Sequence, residues 1–207
     1  MTIYNDYRCM VNRTYRIIAN LVLPISLGVL SSAITLYTQS EKYYLFIFLM
    51  FLVNIDADYF GIGCICKKDS FGMEYVKTSF RARTVIKHTF LLDMCFGVLR
   101  NLLFYLTCLV YMVDRSSNIS ILVVTFLLIN IFYILSLNIT RYFDSFLIMQ
   151  FVAMILEAIF IACMIGLYVL NLGKWGTVCL LCILLIASFI VTYYHMILKL
   201  NASYKDN

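Results

Sequence analysis

Six apolar stretches, each long enough to cross a bilayer, occupy almost all of this 207-residue chain. An α-helix rises about 1.5 Å per residue, so about 20 apolar residues cross a hydrocarbon core some 30 Å thick. The hydropathy pattern predicts spans at Ile17–Leu36, Tyr43–Ile65, Thr89–Val113, Ile119–Ile139, Phe146–Leu170 and Trp175–Ile197. The expected fold class is all-α: a polytopic membrane bundle of six helices, with no polar stretch long enough for a second folded unit. Apolar residues make up 63 % of the chain and charged residues 13 %, far outside the range of soluble domains. The first apolar run carries no small-residue cleavage site and is followed by five more, so it reads as a span and not as a signal peptide.

Basic residues set the expected orientation. Arg8, Arg13, Arg16, Lys67, Lys68, Lys77, Arg81, Arg83, Lys87, Arg141, Lys199 and Lys205 fall on one side of the predicted bundle. Lys42, Arg115 and Lys174 fall on the other, and Arg100 lies inside a span. Twelve against three places both termini in the cytoplasm. The net charge of +5 is then a topology signal, and no nucleic-acid partner is needed to explain it. None of the eight cysteines falls in an outer loop, so they read as helix-packing residues and not as a disulfide framework.

Residues 1–16 are polar but patterned. Ile3, Tyr4, Tyr7, Met10, Val11, Tyr15 and Ile18 recur at steps of three and four, with Asp6, Arg8, Asn12, Arg13 and Arg16 between them. That pattern predicts an interfacial elbow helix ahead of the membrane domain of residues 17–200, with residues 201–207 as a cytoplasmic tail. The outer connections are very short. The inner connection of residues 67–88 is the only long one, and no internal repeat marks inverted halves.

Several chemistries lack their residues. The nearest string to a P-loop, Gly166 to Gly173-Lys174-Trp175, has the wrong spacing and no hydroxyl. There is no His-Glu-x-x-His and no Gly-x-Ser-x-Gly, and the only histidines are His88 and His195, so no catalytic residue and no metal site is expected. Cys179-x-x-Cys182 has redox spacing but sits in an apolar run without a basic neighbour. Charges inside spans say more, because burying one in lipid costs several kcal/mol. Asp56, Asp58, Asp93, Arg100 and Glu157 are the intramembrane set. Asp56 and Arg100 lie at similar depths, which makes an ion pair between them the expectation, structural or lining a substrate path. Glu157 has no cation at its depth in its own span, so it is either protonated or facing a polar cavity.

The inner loop reads KKDSFGMEYVKTSFRARTVIKH from Lys67 to His88. Phe71, Met73, Tyr75, Val76 and Phe80 give it unusual apolar content within a basic rim, which suits docking of a cytosolic partner or folding against headgroups. Asp69, Gly72, Tyr75, Thr78 and Arg83 match a string common in membrane subunits of ABC exporters of the six-span half-permease kind. Phe80 stands where that string often has Pro. More narrowly, the chain resembles the small permeases of staphylococcal-type exporters for amphipathic toxin peptides, the phenol-soluble modulins. The direct match covers about 20 residues, and topology and length supply the rest.

The resemblance implies a non-enzymatic permease half in a bacterial plasma membrane. It would pair with a second copy of itself and with two copies of an ABC ATPase that holds the ATP and Mg²⁺, this chain binding no cofactor of its own. It also implies a coupling helix within residues 69–86, using Asp69, Phe71, Gly72, Met73, Glu74, Tyr75, Thr78, Phe80 and Arg83, and an amphipathic peptide as substrate. A non-transporting accessory or sensor, or an intramembrane enzyme built on Asp56, Asp58 and Glu157, are the alternatives the residues leave open.

Overall fold

The computed structural model describes residues 3–38, 43–58, 81–112, 119–140, 145–169 and 175–203, and every described segment is helical. Helix α1 is Ile3–Met10, α2 is Arg13–Ile17, and a π-helical turn at Ile18–Val22 leads into α3, Leu23–Thr38. Then come α4 (Tyr43–Asp58), α5 (Ala82–Met112), α6 (Ile119–Thr140), α7 (Phe146–Val169) and α8 (Trp175–Ser203). Among the described residues, four stretches are long and apolar enough to cross a membrane: Arg13–Tyr37, Arg83–Leu109, Leu147–Gly166 and Gly176–Leu198. The apolar part of α6, Leu122–Asn138, is shorter, and α4 is described over 16 residues.

The amphipathic N-terminal segment is not one helix to residue 16. It breaks at Val11–Asn12, where Asn12 takes a non-helical ψ of 138° and its side-chain oxygen accepts from the Thr14 amide at 2.9 Å. That cap starts a new helix four residues before the expected start of the first span. The π turn has a local cause. Pro24, the only proline, has no N–H to offer the carbonyl four residues back, and its ring crowds that carbonyl. The Leu23 amide bonds instead to Ile18 O, five residues back, which widens the turn just ahead of the proline.

Helix α6 is the hub, packing against α4, α5, α7 and α8. Its Leu122, Leu127, Leu128, Ile129 and Tyr133 are buried. Around it lies the larger core, with Met50, Phe51 and Ile55 of α4, Phe104 and Tyr105 of α5, and Phe160 of α7. Phe160 stacks on Phe51 at 5.8 Å and meets Phe132 edge-on at 5.5 Å, seating α7 against α4 and α6 together. A second core forms where Tyr7 and Val11 cover Ile86, Phe90 and Met94 of α5. Half of the apolar window in α5 is buried, against 22 % in α7 and 17 % in α8. So α5 runs through the interior, while α7 and α8 turn Leu147, Phe151, Met154, Ile183, Ile186 and Ile190 outward. An apolar exterior over a core that includes polar groups is the pattern expected where the surrounding solvent is lipid.

Among the described residues, two glycines permit close crossings. A Cβ at Gly28 would overlap the Thr107 hydroxyl and come within 3.1 Å of the Phe104 carbonyl, so α3 and α5 meet almost backbone to backbone. Gly28 and Ser32 are four residues apart, the small-xxx-small spacing of close helix pairs, and Ser31 and Ser32 border Cys108. A Cβ at Gly97 would occupy the space of the Tyr133 ring. Gly28→Ala should therefore destabilise the protein by about 1–3 kcal/mol, seen as a lower unfolding temperature in detergent. Thr107→Ala should restore part of the loss, whereas the same change at Thr84, away from the crossing, should restore none.

Candidate functional site

Three connected sets of polar groups stand out inside the bundle among the described residues. The first is a chain of buried carboxamides. Asn54 Nδ2 of α4 donates to Asn101 Oδ1 of α5 at 2.6 Å, and Asn101 Nδ2 donates to Asn130 Oδ1 of α6 at 2.9 Å. Asn130 Nδ2 ends the chain on the Phe126 carbonyl at 2.7 Å. All three side chains are fully buried. Asn101 and Asn130 each donate and accept, and Asn54 donates while its Oδ1 has no partner among the described residues, so three helices are linked by directional bonds and not by packing alone.

The second set surrounds Arg100, which is 2 % exposed. Its Nη2 donates to Tyr133 Oη at 3.3 Å, and its guanidinium lies 5.7 Å from the centre of that ring. Asp93 and Asp58 are the carboxylates within electrostatic reach, along with the Tyr15 phenol. Tyr15 Oη donates to the Ala57 carbonyl, tying α2 to the end of α4. Asp93, Gly97 and Arg100 share one stripe of α5, and the missing side chain at Gly97 lets Tyr133 come in over Arg100.

The third set joins α4 to α7. Gln150 Nε2 donates to Asp56 Oδ1 at 2.5 Å. Glu157, 2 % exposed, feels the Asp56 charge, and its Oε1 has no hydrogen-bond partner among the described residues.

The expected Asp56–Arg100 pair does not form. Direction around the helix decides this. Successive residues on an α-helix turn by about 100°, so Asn54 and Asp58 share a face and Asp56 points roughly the opposite way. Asn54 and Asp58 accordingly look toward α5, while Asp56 looks toward α7 and meets Gln150. Asp93 and Arg100 are brought into one neighbourhood with Asp58, and Asp56 and Glu157 into another.

Of the residues proposed for coupling, Arg83 is exposed in the first turn of α5. Asp69, Phe71, Gly72, Met73, Glu74, Tyr75, Thr78 and Phe80 lie outside the described residues. Just beyond Arg83, His88 Nδ1 lies 2.7 Å from Asp6 Oδ2, so α1 is clamped to the base of α5. Tyr7 of α1 is buried close to Asn20 of the π turn. Burial, with Asp93 adding, pushes its phenol up to about 12, so it stays neutral.

Further along α8, Asn138 Nδ2 donates to Thr192 Oγ1 at 2.8 Å, and His195 Nδ1 lies 3.0 Å from Asn138 Oδ1. A charge-based reading of the sequence passes over all the asparagines. The signal was present, however, because Asn54, Asn101, Asn130 and Asn138 each interrupt an apolar run. Among the described residues no three metal-ligating side chains converge. The chain matches no family model, no curated protein and no solved structure.

Asn101 is the middle link, so Asn101→Leu orphans a group on each neighbour. It should lower stability by about 1–3 kcal/mol. Asn54→Leu and Asn130→Leu should show coupling in a double-mutant cycle although the two side chains do not touch. Asp56→Asn and Arg100→Gln, by contrast, should add within about 0.5 kcal/mol, measured by denaturant titration in detergent.

Proposed function

We propose that this chain is the membrane subunit of an ATP-driven exporter of the ABC type, working with a separate ATPase that holds ATP and Mg²⁺. The observation that carries the reading is the length and continuity of α5. Its 31 residues extend about 46 Å, some 15 Å more than the hydrocarbon core needs. The overhang lies at the Arg83–His88 end, next to the long basic loop that resembles a coupling segment. A displacement of that loop by a closing ATPase would be carried along one unbroken helix to Asn101, and from there to α4 and α6. The clamp between Asp6 and His88 would make α1 move with it.

On this reading α4 and α6 join the four longer helices as membrane spans, giving six, with both termini in the cytoplasm of a bacterial cell. Two copies form the translocation unit. Asp56, Asp58, Asp93, Arg100 and Glu157 offer polar contacts within apolar walls, which suits an amphipathic peptide better than a hydrophilic solute. The ATPase docks on the segment of residues 69–86, through Phe71, Met73, Tyr75 and their charged neighbours.

The decisive measurement is ATPase stoichiometry and turnover in nanodiscs, using the full chain expressed with its genomic neighbour. Phe71→Ala with Tyr75→Ala should release the ATPase or abolish its stimulation by substrate, since truncating a central aromatic commonly costs about 2 kcal/mol or more. Asn118→Ala with Leu172→Ala should leave both intact. Failure of any ATPase to co-purify, or full coupling in the loop variant, overturns the proposal. Orientation has its own check. Cysteines at Lys42, Ser117 and Gly173, in a Cys-free background, should react with an impermeant thiol reagent in intact cells, and cysteines at Ser70 and Ser203 only after permeabilisation.

A further inference from the structure

The break at Asn12 folds α1 back beside the start of the first span, and residues distant in sequence meet there. Arg16 Nη1 lies 3.5 Å from Tyr4 Oη, across twelve positions of chain. The guanidinium of Arg8 is 5.9 Å from the centre of the Tyr4 ring and that of Arg16 is 6.0 Å from it, with Arg16 also 5.9 Å from the Tyr7 ring. Two cations thus gather about one half-exposed tyrosine, and exposed Arg13 adds a third at the same end of the span.

The acidic residue of α1 does not neutralise them. Asp6 is 4 % exposed and turned to His88 on α5. Among the described residues no carboxylate comes within ion-pair distance of Arg8, Arg13 or Arg16, and Arg16 Nε is shielded from water without an acceptor. Beside the cations, Ile3, Ile17, Ile18 and Leu21 are each more than two-fifths exposed. A ligand that fits must therefore bring a negative oxygen-rich group and an apolar body attached to it.

We propose that Arg8, Arg16 and Tyr4, with Arg13 at the rim, form a binding site for the phosphate of an anionic phospholipid whose acyl chains lie along Ile17, Ile18 and Leu21. Guanidinium forks pair with phosphate oxygens two bonds at a time, and the Tyr4 hydroxyl supplies a further donor. The headgroup would balance the clustered positive charge. A free phosphate would satisfy the cations but leave the adjoining apolar strip uncovered, which is why the lipid is favoured. The site stands whether or not the chain is an exporter subunit.

Native mass spectrometry of the full-length protein, released from detergent after incubation with equimolar phosphatidylglycerol and phosphatidylcholine of matched chains, tests this. Each basic residue at an anionic surface contributes about fivefold to binding. The wild type should retain phosphatidylglycerol at least tenfold over phosphatidylcholine. Arg8→Gln with Arg16→Gln should cut that preference by about tenfold or more. Lys199→Gln with Lys205→Gln, equal in net charge, should keep it. Arg8 is exposed, so Arg8→Gln alone guards against misfolding of the double variant and should cut the preference by about fivefold. Equal retention of the two lipids by the wild type, full preference in Arg8→Gln, or an equal loss in the tail variant overturns the proposal. Displacement of phosphatidylglycerol by millimolar inorganic phosphate overturns it too, in favour of a soluble-anion site.

Discussion

A polar side chain inside a lipid-embedded bundle has no water to fall back on, so leaving it without a partner on another helix or on its own backbone is costly. The Asn54–Asn101–Asn130 chain answers that constraint across three helices at once, with only Asn54 Oδ1 left without a partner among the described residues. In hydrocarbon, apolar packing alone discriminates weakly between one helix rotation and another, because lipid tails are as apolar as leucine. A carboxamide that must meet another carboxamide does discriminate. The chain fixes the rotation of α4, α5 and α6 about their axes. Everything that depends on rotation follows, including which carboxylates of α4 face Arg100 and which face α7.

Arg100 is the costliest group in the bundle. Placing a guanidinium at the centre of a membrane helix costs about 3 kcal/mol even by insertion scales, and the surroundings offset that in three ways. Tyr133 supplies a hydroxyl and a ring face, Asp58 and Asp93 supply negative charge, and Gly97 supplies the space in which Tyr133 can approach. The same arrangement links the outer end of α1 to the interior, since Tyr7 lies within electrostatic reach of both Asp93 and Arg100. Motion at the base of α5 would be felt along this line, from the Asp6–His88 contact to the asparagine chain, without any flexible joint between.

Much of the architecture was legible in the sequence. Apolar runs at Ile17–Leu36, Thr89–Val113, Phe146–Leu170 and Trp175–Ile197 correspond to the four membrane-length helices, with boundaries displaced where local chemistry intervenes. Asn12 is such a case. Its capping oxygen ends the amphipathic segment early, a signal that periodicity alone outweighs in a linear reading. Charged intramembrane residues were also visible one by one, because any Asp, Glu or Arg in an apolar run is conspicuous. Distance along the chain does not give their pairing, because the 100° step per residue turns Asp56 away from Arg100 and toward Gln150. The asparagines went unremarked because they carry no charge, although in lipid an unpaired amide is nearly as constraining.

The sequence by itself determined that the chain is helical, that its helices are apolar on the outside, and which residues must be partnered within. Those properties follow from composition and period, which each segment carries alone. Only the tertiary structure decided which partners they take: Asp56 with Gln150, Arg100 with Tyr133, Asp6 with His88, and Arg8 and Arg16 around Tyr4. These choices join residues up to ninety-four positions apart. They depend on how each helix is rotated and how closely Gly28 and Gly97 let its neighbours approach, quantities set by all the helices together and encoded in none of them singly.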